Sequence, residues 1–192
     1  VEPGCVGALL LPHLRIGSPP WPDPVARGAL LGVSDGTTRG TLYRAVLEGL
    51  ALDAAHVLVV MRTHLGSPPI ERLVAIGGST RNPLLMRIKA SLFGRSIAVA
   101  GTVEGTSLGA AMLAGIAAGL FEDLAAARAA MMPGFREVTP DPHWPVNREA
   151  LLGAYAEAYA GMREVHARLR QRISAGSAPP APRPAPAPCD AA

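Results

Sequence analysis

Lysine is nearly missing: Lys89 is the only one in 192 residues, so the excess of base over acid rests on scattered arginines. Aromatic residues make up 4% of the chain, which leaves few stacking platforms, and the net charge is only +3. A nucleic-acid role is therefore not expected. The two cysteines, Cys5 and Cys189, stand at opposite ends. With no Cys-x-x-Cys and no His/Cys cluster, neither a disulfide framework nor a zinc site is indicated. No N-terminal segment joins a charged region to an apolar run, so no secretory signal is read and a cytoplasmic chain is expected. Gly105 to Phe121 carries no charge, but Gly, Ala, Thr and Ser make it a packed core helix and not a membrane span. The chain opens Val-Glu-Pro without an initiator methionine, which suggests a fragment or a processed chain.

What is present starts with hydrophobic residues at 49% against 17% charged, enough for one core and at most two small ones. The most informative stretch runs from Arg72 to Phe93. Leu73 to Ile76 suits a short buried strand. Gly77 and Gly78 follow at once and allow positive φ and close approach to the backbone. Asn82-Pro83 places an Asn at N-cap and a Pro at N1 of a helix whose face is Leu84, Leu85, Ile88 and Leu92. A glycine loop between a strand end and a helix start offers N–H groups, bare backbone and a positive helix terminus to a nucleotide. The plain alternative is a β–α turn with an Asn cap. The loop lacks Gly-x-Gly-x-x-Gly and Gly-Lys-Ser/Thr, so neither a dinucleotide fold nor a P-loop is indicated.

Elsewhere, Gly7 to Leu14 reads as a strand or buried loop, with His13 an ordinary polar residue at a strand edge. Gly17 to Pro24 is an irregular connection, and Asp35-Gly36 a turn before a helix over about Thr41 to Leu65. That helix has the stripe Leu42, Val46, Leu50, Val57, Leu58, Met61 and Leu65, with Gly66 at C′. Ser96 to Ala100 is a strand, Glu104 to Ala118 a helix ended by Gly119, and Phe121 to Met132 a short helix. Glu104 is read as a helix-dipole partner. Pro133 to Pro145 is a Pro-rich loop. Asn147 to Ser174 is a last helix with Leu151, Tyr155, Tyr159, Met162, Leu169 and Ile173 inward and Arg163, Arg168, Arg170 and Arg172 on a solvated face. The Pro/Ala-rich residues from Ala175 to Ala192 are expected to be a disordered tail.

Ile76-Gly-Gly-Ser-Thr-Arg-Asn-Pro83 resembles the adenosine loop of the sugar kinase, actin and Hsp70 superfamily. Upstream, Gly28-Ala-Leu-Leu-Gly-Val33 followed by Thr41-Leu-Tyr-Arg-Ala-Val-Leu-Glu48 resembles the second signature of the FGGY carbohydrate kinases. The match departs at Thr41, where that family usually has His, Asp, Glu, Asn or Gln. Leu11-Pro-His-Leu14 and Asp23-Pro-Val-Ala-Arg-Gly28 are similar to further family segments, although Ile16-Gly17-Ser18 replaces the usual Gly-Glu-Arg. Glu104 to Ala111 matches a Glu-x-x-x-Leu-Gly-Ala-Ala segment, in which Gly109 would permit close packing of two lobes.

The chain is thus identified as a member of the FGGY family, xylulokinase-like, by its C-terminal domain. The resemblance implies an α/β fold: a ribonuclease H-like, actin-like ATPase lobe, incomplete at its N-terminal side. Residues 1–174 would be this nucleotide-side domain and 175–192 the tail. The implied reaction moves the γ-phosphoryl of ATP to a sugar or polyol hydroxyl, with Mg²⁺ as cofactor. Gly77, Gly78, Ser79 and Asn82 would hold the adenosine. The catalytic base, the phosphate hairpin and the Mg²⁺ ligands are expected outside this chain, and Asp23, Asp35, Asp53 and Asp123 are read as turn, loop or helix-face residues. Alone, the chain would be inactive and would expose apolar surface. ATP or ADP and a sugar or polyol are the expected partners, a homodimer is left open, and nucleic acid and membrane are not expected. Two other readings stand beside this one: an Hsp70-like chaperone ATPase lobe, favoured by Gly-Gly-Ser-Thr-Arg, and a non-catalytic kinase-remnant binding module.

Overall fold

The computed structural model describes residues 4, 7–14, 23–24, 26–64 and 70–176. Leu65, Gly66, both cysteines, residues 15–22 and residues 177–192, and with them the stripe's last member, its C′ glycine and nearly all of the tail, lie outside the described residues.

Strand β1 (Leu9–Leu11) pairs antiparallel with β2 (Ala29–Leu31), with Leu9 opposite Leu31 and Leu11 opposite Ala29. Helix α1 (Arg39–His64) follows. Its start is fixed by Thr38, whose Oγ1 accepts from the Thr41 amide at 3.1 Å, as an N-cap hydroxyl does. The Asp35-Gly36 turn lies between β2 and α1, as the sequence suggests.

Strand β3 (Leu73–Ala75) leads through a 3₁₀ turn (Gly78–Arg81) into helix α2 (Pro83–Phe93), and β4 (Ile97–Ala100) returns parallel to β3, with Leu73 opposite Ile97. Helices α3 (Gly105–Ala117) and α4 (Leu124–Met131) come next. Strand β5 (Phe135–Val138) then pairs antiparallel with β4, so the order is β3-β4-β5. Helix α5 (Arg148–Gly176) closes the chain. It runs two residues into the segment expected to be a tail.

One core joins these layers. Leu11 of β1, Leu47 and Leu52 of α1, Met86, Ile88 and Leu92 of α2, Ile97 of β4 and Tyr155 of α5 are all buried within it. The cluster lies between the first hairpin, α1, α2 and one face of the β3-β4-β5 sheet.

Several expectations are corrected here. The buried residues of α1 include Thr41, Ala45, Leu47, Glu48, Ala51, Leu52, Ala55 and Val60, whereas Val46 and Leu50 of the expected stripe are exposed. The reason is close approach. A Cβ on Gly49 would sit 2.4 Å from the Leu10 carbonyl oxygen, so α1 meets β1 at Gly49, with Leu47 and Leu52 entering the core and Val46 and Leu50 turned outward. On α2, Leu84 is partly exposed and Met86 is buried in its stead. On α5, Leu169 is exposed, while Tyr155 is fully buried and Leu151, Tyr159 and Met162 are half-buried. The Pro-rich loop contains β5, which forms because the far edge of β4 has backbone groups that need partners. Asp123 is the N-cap of α4 and accepts from the Ala126 amide at 2.8 Å.

His13 is not an edge residue. It is buried, with its Nε2 3.3 Å from the Tyr155 hydroxyl. Asp23 is buried too: it accepts from the Tyr159 hydroxyl at 3.0 Å and pairs with Arg163 at 2.6 Å, so Arg163 is not merely part of a solvated face. Apolar surface is exposed as expected, with Val33 and Tyr43 each 56% and Val74 50% accessible. Among the described residues, no helix is long and apolar enough to cross a membrane.

Candidate functional site

The site forms where the parallel strands β3 and β4 end side by side. In open α/β sheets the carboxyl ends of parallel strands are where ligands collect. After β3, Gly77 adopts φ +99°, a region that favours glycine. Thr80, itself buried, locks the turn: its Oγ1 and its amide both donate to the Gly77 carbonyl, at 2.7 and 3.0 Å. The Asn82 amide donates to the Ser79 carbonyl at 3.2 Å, which closes the turn onto α2.

Gly78 differs from Gly77. It does not have positive φ, and a Cβ there would meet nothing within 4 Å. Among the described residues nothing in the packing calls for glycine at this position, so its bare backbone is open to a ligand. Ser79 beside it is exposed.

Asn82 has the expected cap role, with its Oδ1 accepting from the Leu85 amide at 3.0 Å. Its Nδ2 donates to the hydroxyl of Tyr43, on α1, at 3.0 Å. Pro83 follows at the first helical position. Helix α3 starts close by, because Gly105 admits Ile76: a Cβ on Gly105 would lie 2.2 Å from the Ile76 Cδ1. Arg81 and Glu104, each 73% exposed, face one another at 4.0 Å, and such a solvated pair adds little stability. Glu104 stands at the N-cap of α3 but makes no side-chain cap bond.

Residues 2–118 match the C-terminal domain of the FGGY family of carbohydrate kinases. The chain belongs to that family. The chain is 44% identical over 118 residues to a glycerol kinase from Dechloromonas aromatica, covering 61% of this chain and 23% of that protein. It is 40% identical over 144 residues to a glycerol kinase from Bordetella parapertussis, covering 74% of this chain and 27% of that protein. The fold is similar to the crystal structure of xylulose kinase from Rhodospirillum rubrum, with a TM-score of 0.68, 29% identity, and 86% of this chain against 33% of that one covered. The chain thus spans only about a quarter of the length of these curated relatives. The actin-like ATPase fold implied by the sequence agrees with these neighbours. The FGGY match decides against the Hsp70-like reading, which rested on the Gly-Gly-Ser-Thr-Arg string alone.

Gly77, Gly78, Ser79 and Asn82 thus sit on one turn at one strand end. Tyr43 was not legible as their neighbour, because it lies 39 positions upstream of Asn82 and nothing in α1 marks it. The residues present fit an adenosine: bare backbone at Gly78, a side-chain amide with a hydrogen to spare, and a helix start. They do not fit magnesium. Among the described residues no group of three or more His, Cys, Asp or Glu side chains could hold a metal ion. Gly109, expected to permit close lobe packing, has open space where a Cβ would be.

Proposed function

We propose that the chain is the nucleotide-side domain of an ATP-dependent carbohydrate kinase, with residues 1–174 as the domain. The adenosine lies against Gly77 and Gly78, with Ser79 at its edge and Asn82 reaching the base. The reaction transfers the γ-phosphoryl of ATP to a hydroxyl of a small polyol. Glycerol is the first acceptor to test, because the relatives that match at 44% and 40% identity are named glycerol kinases. In phosphoryl transfer the protein mainly positions the reactants and offsets charge; Mg²⁺, when bound, would supply further charge stabilisation, and a carboxylate would accept the hydroxyl proton. This chain's contribution is the adenosine end, and the base and the Mg²⁺ ligands belong to the part of the kinase beyond it. A cytoplasmic location goes with this reading.

The observation that carries the proposal is Gly78, a glycine that the fold itself does not require, on a turn held rigid by Thr80 and capped by Asn82. Calorimetric titration of ADP against the unaltered chain and Gly78→Val tests it. The expected result is saturable binding that the variant loses while its unfolding midpoint stays in place. Equal binding by the two proteins, or none by the unaltered chain, overturns the reading.

A further inference from the structure

We infer that Tyr43 is a positioning residue for the nucleobase, acting through Asn82. The inference rests on the adenosine reading of the Gly77-Gly78 turn and adds to it a residue from a different helix.

An asparagine side chain has two N–H donors and one acceptor oxygen. Here the Oδ1 accepts from the Leu85 amide and one Nδ2 hydrogen goes to the Tyr43 hydroxyl, each at 3.0 Å. The two contacts fix the amide. Turning it over would set Nδ2 against the Leu85 N–H, donor facing donor. The second Nδ2 hydrogen remains as a donor of defined direction, suited to a ring nitrogen of a purine. The Tyr43 hydroxyl, having accepted from Asn82, keeps its own hydrogen to donate to the same ligand.

Packing does not account for Tyr43. It is 56% exposed and lies off the buried face of α1, which includes Thr41, Ala45, Glu48 and Leu52. An exposed hydrogen bond of this kind contributes little to folding. An aromatic side chain with an apolar face and a polar tip, bonded to the Asn82 that caps the turn, suits a flat heterocycle.

The test is an ADP titration of the full chain followed by amide NMR, reading the Asn82 side-chain signals and the Gly77 and Gly78 backbone signals. Tyr43→Phe keeps the ring and removes the hydroxyl. It is expected to weaken ADP binding about 3- to 10-fold, with the unfolding midpoint unchanged. In an Asn82→Ala background the same change should cost little more, since the two residues act as one unit. If Tyr43→Phe binds ADP as the unaltered chain does, while Gly78→Val does not bind, the role of Tyr43 is wrong and the adenosine reading stands. If Gly78→Val binds normally, or ADP moves none of these signals in the unaltered chain, both fall together.

Discussion

The hydroxyl of Tyr155 donates to the carboxylate of Asp53 at 2.9 Å, joining the last helix to the first across 102 positions. Tyr155 is the largest fully buried side chain among the described residues, so this bond reaches into the core. Removing only the hydroxyl leaves the ring's packing intact and takes a donor from a carboxylate. Tyr155→Phe is expected to destabilise the chain by about 1–2 kcal/mol, read as a lower urea midpoint at unchanged slope. A midpoint within error of the unaltered chain would show that Asp53 replaces the bond without cost.

The same cluster makes stability depend on pH. His13 and His56 both face Asp53, and His13 also faces Asp23 and His166. Burial is the largest influence on each ring and pulls its pKa below the usual 6.5, against the opposing pull of the carboxylates. The unfolded chain therefore takes up protons near pH 6.5 while the folded chain still excludes them. The unfolded state binds more protons in that window, so stability falls as pH drops below about 6.5 and levels off once the folded rings protonate. Urea midpoints between about pH 8 and about pH 5 should decline more steeply for the unaltered chain than for His13→Gln/His56→Gln. Parallel curves would remove the histidines from the account.

What the sequence discloses and what it hides follow one division. Local chemistry was legible: Asn82-Pro83 is a cap and first helical residue because both roles need only neighbouring backbone. The β3-turn-α2 unit is legible for the same reason. β5 was not, because Phe135-Arg-Glu-Val138 is an edge strand with largely exposed side chains, and such a strand carries no apolar pattern. The inward face of α1 differs from the Leu42-Val46-Leu50 stripe because several apolar rows share this helix, and the rows that hold Leu47 and Leu52 are the ones that face the core, with Gly49 against β1. The His13–Tyr155–Asp53 cluster joins positions too far apart in sequence for any spacing rule to reach.

Two glycines separate packing from ligand space. At Gly49 an added methyl would face the Leu10 carbonyl oxygen at 2.4 Å and the Leu10 Cβ at 3.0 Å. The obstacle is strand backbone, which can yield only if β1 shifts away from α1. Alanine is the better helix former by about 1 kcal/mol, so propensity alone would make Gly49→Ala stabilising. Overpacking of about 1–3 kcal/mol should exceed that gain and lower the melting temperature. At Gly78 the same methyl enters open space and the backbone does not have positive φ, so Gly78→Ala should leave stability within about 0.5 kcal/mol. Thermal unfolding of the two variants side by side checks the contrast. A higher melting temperature for Gly49→Ala would mean that β1 lies farther from α1 than the structure has it, and a large loss at Gly78 would give that glycine a structural reason and weaken its claim as ligand surface.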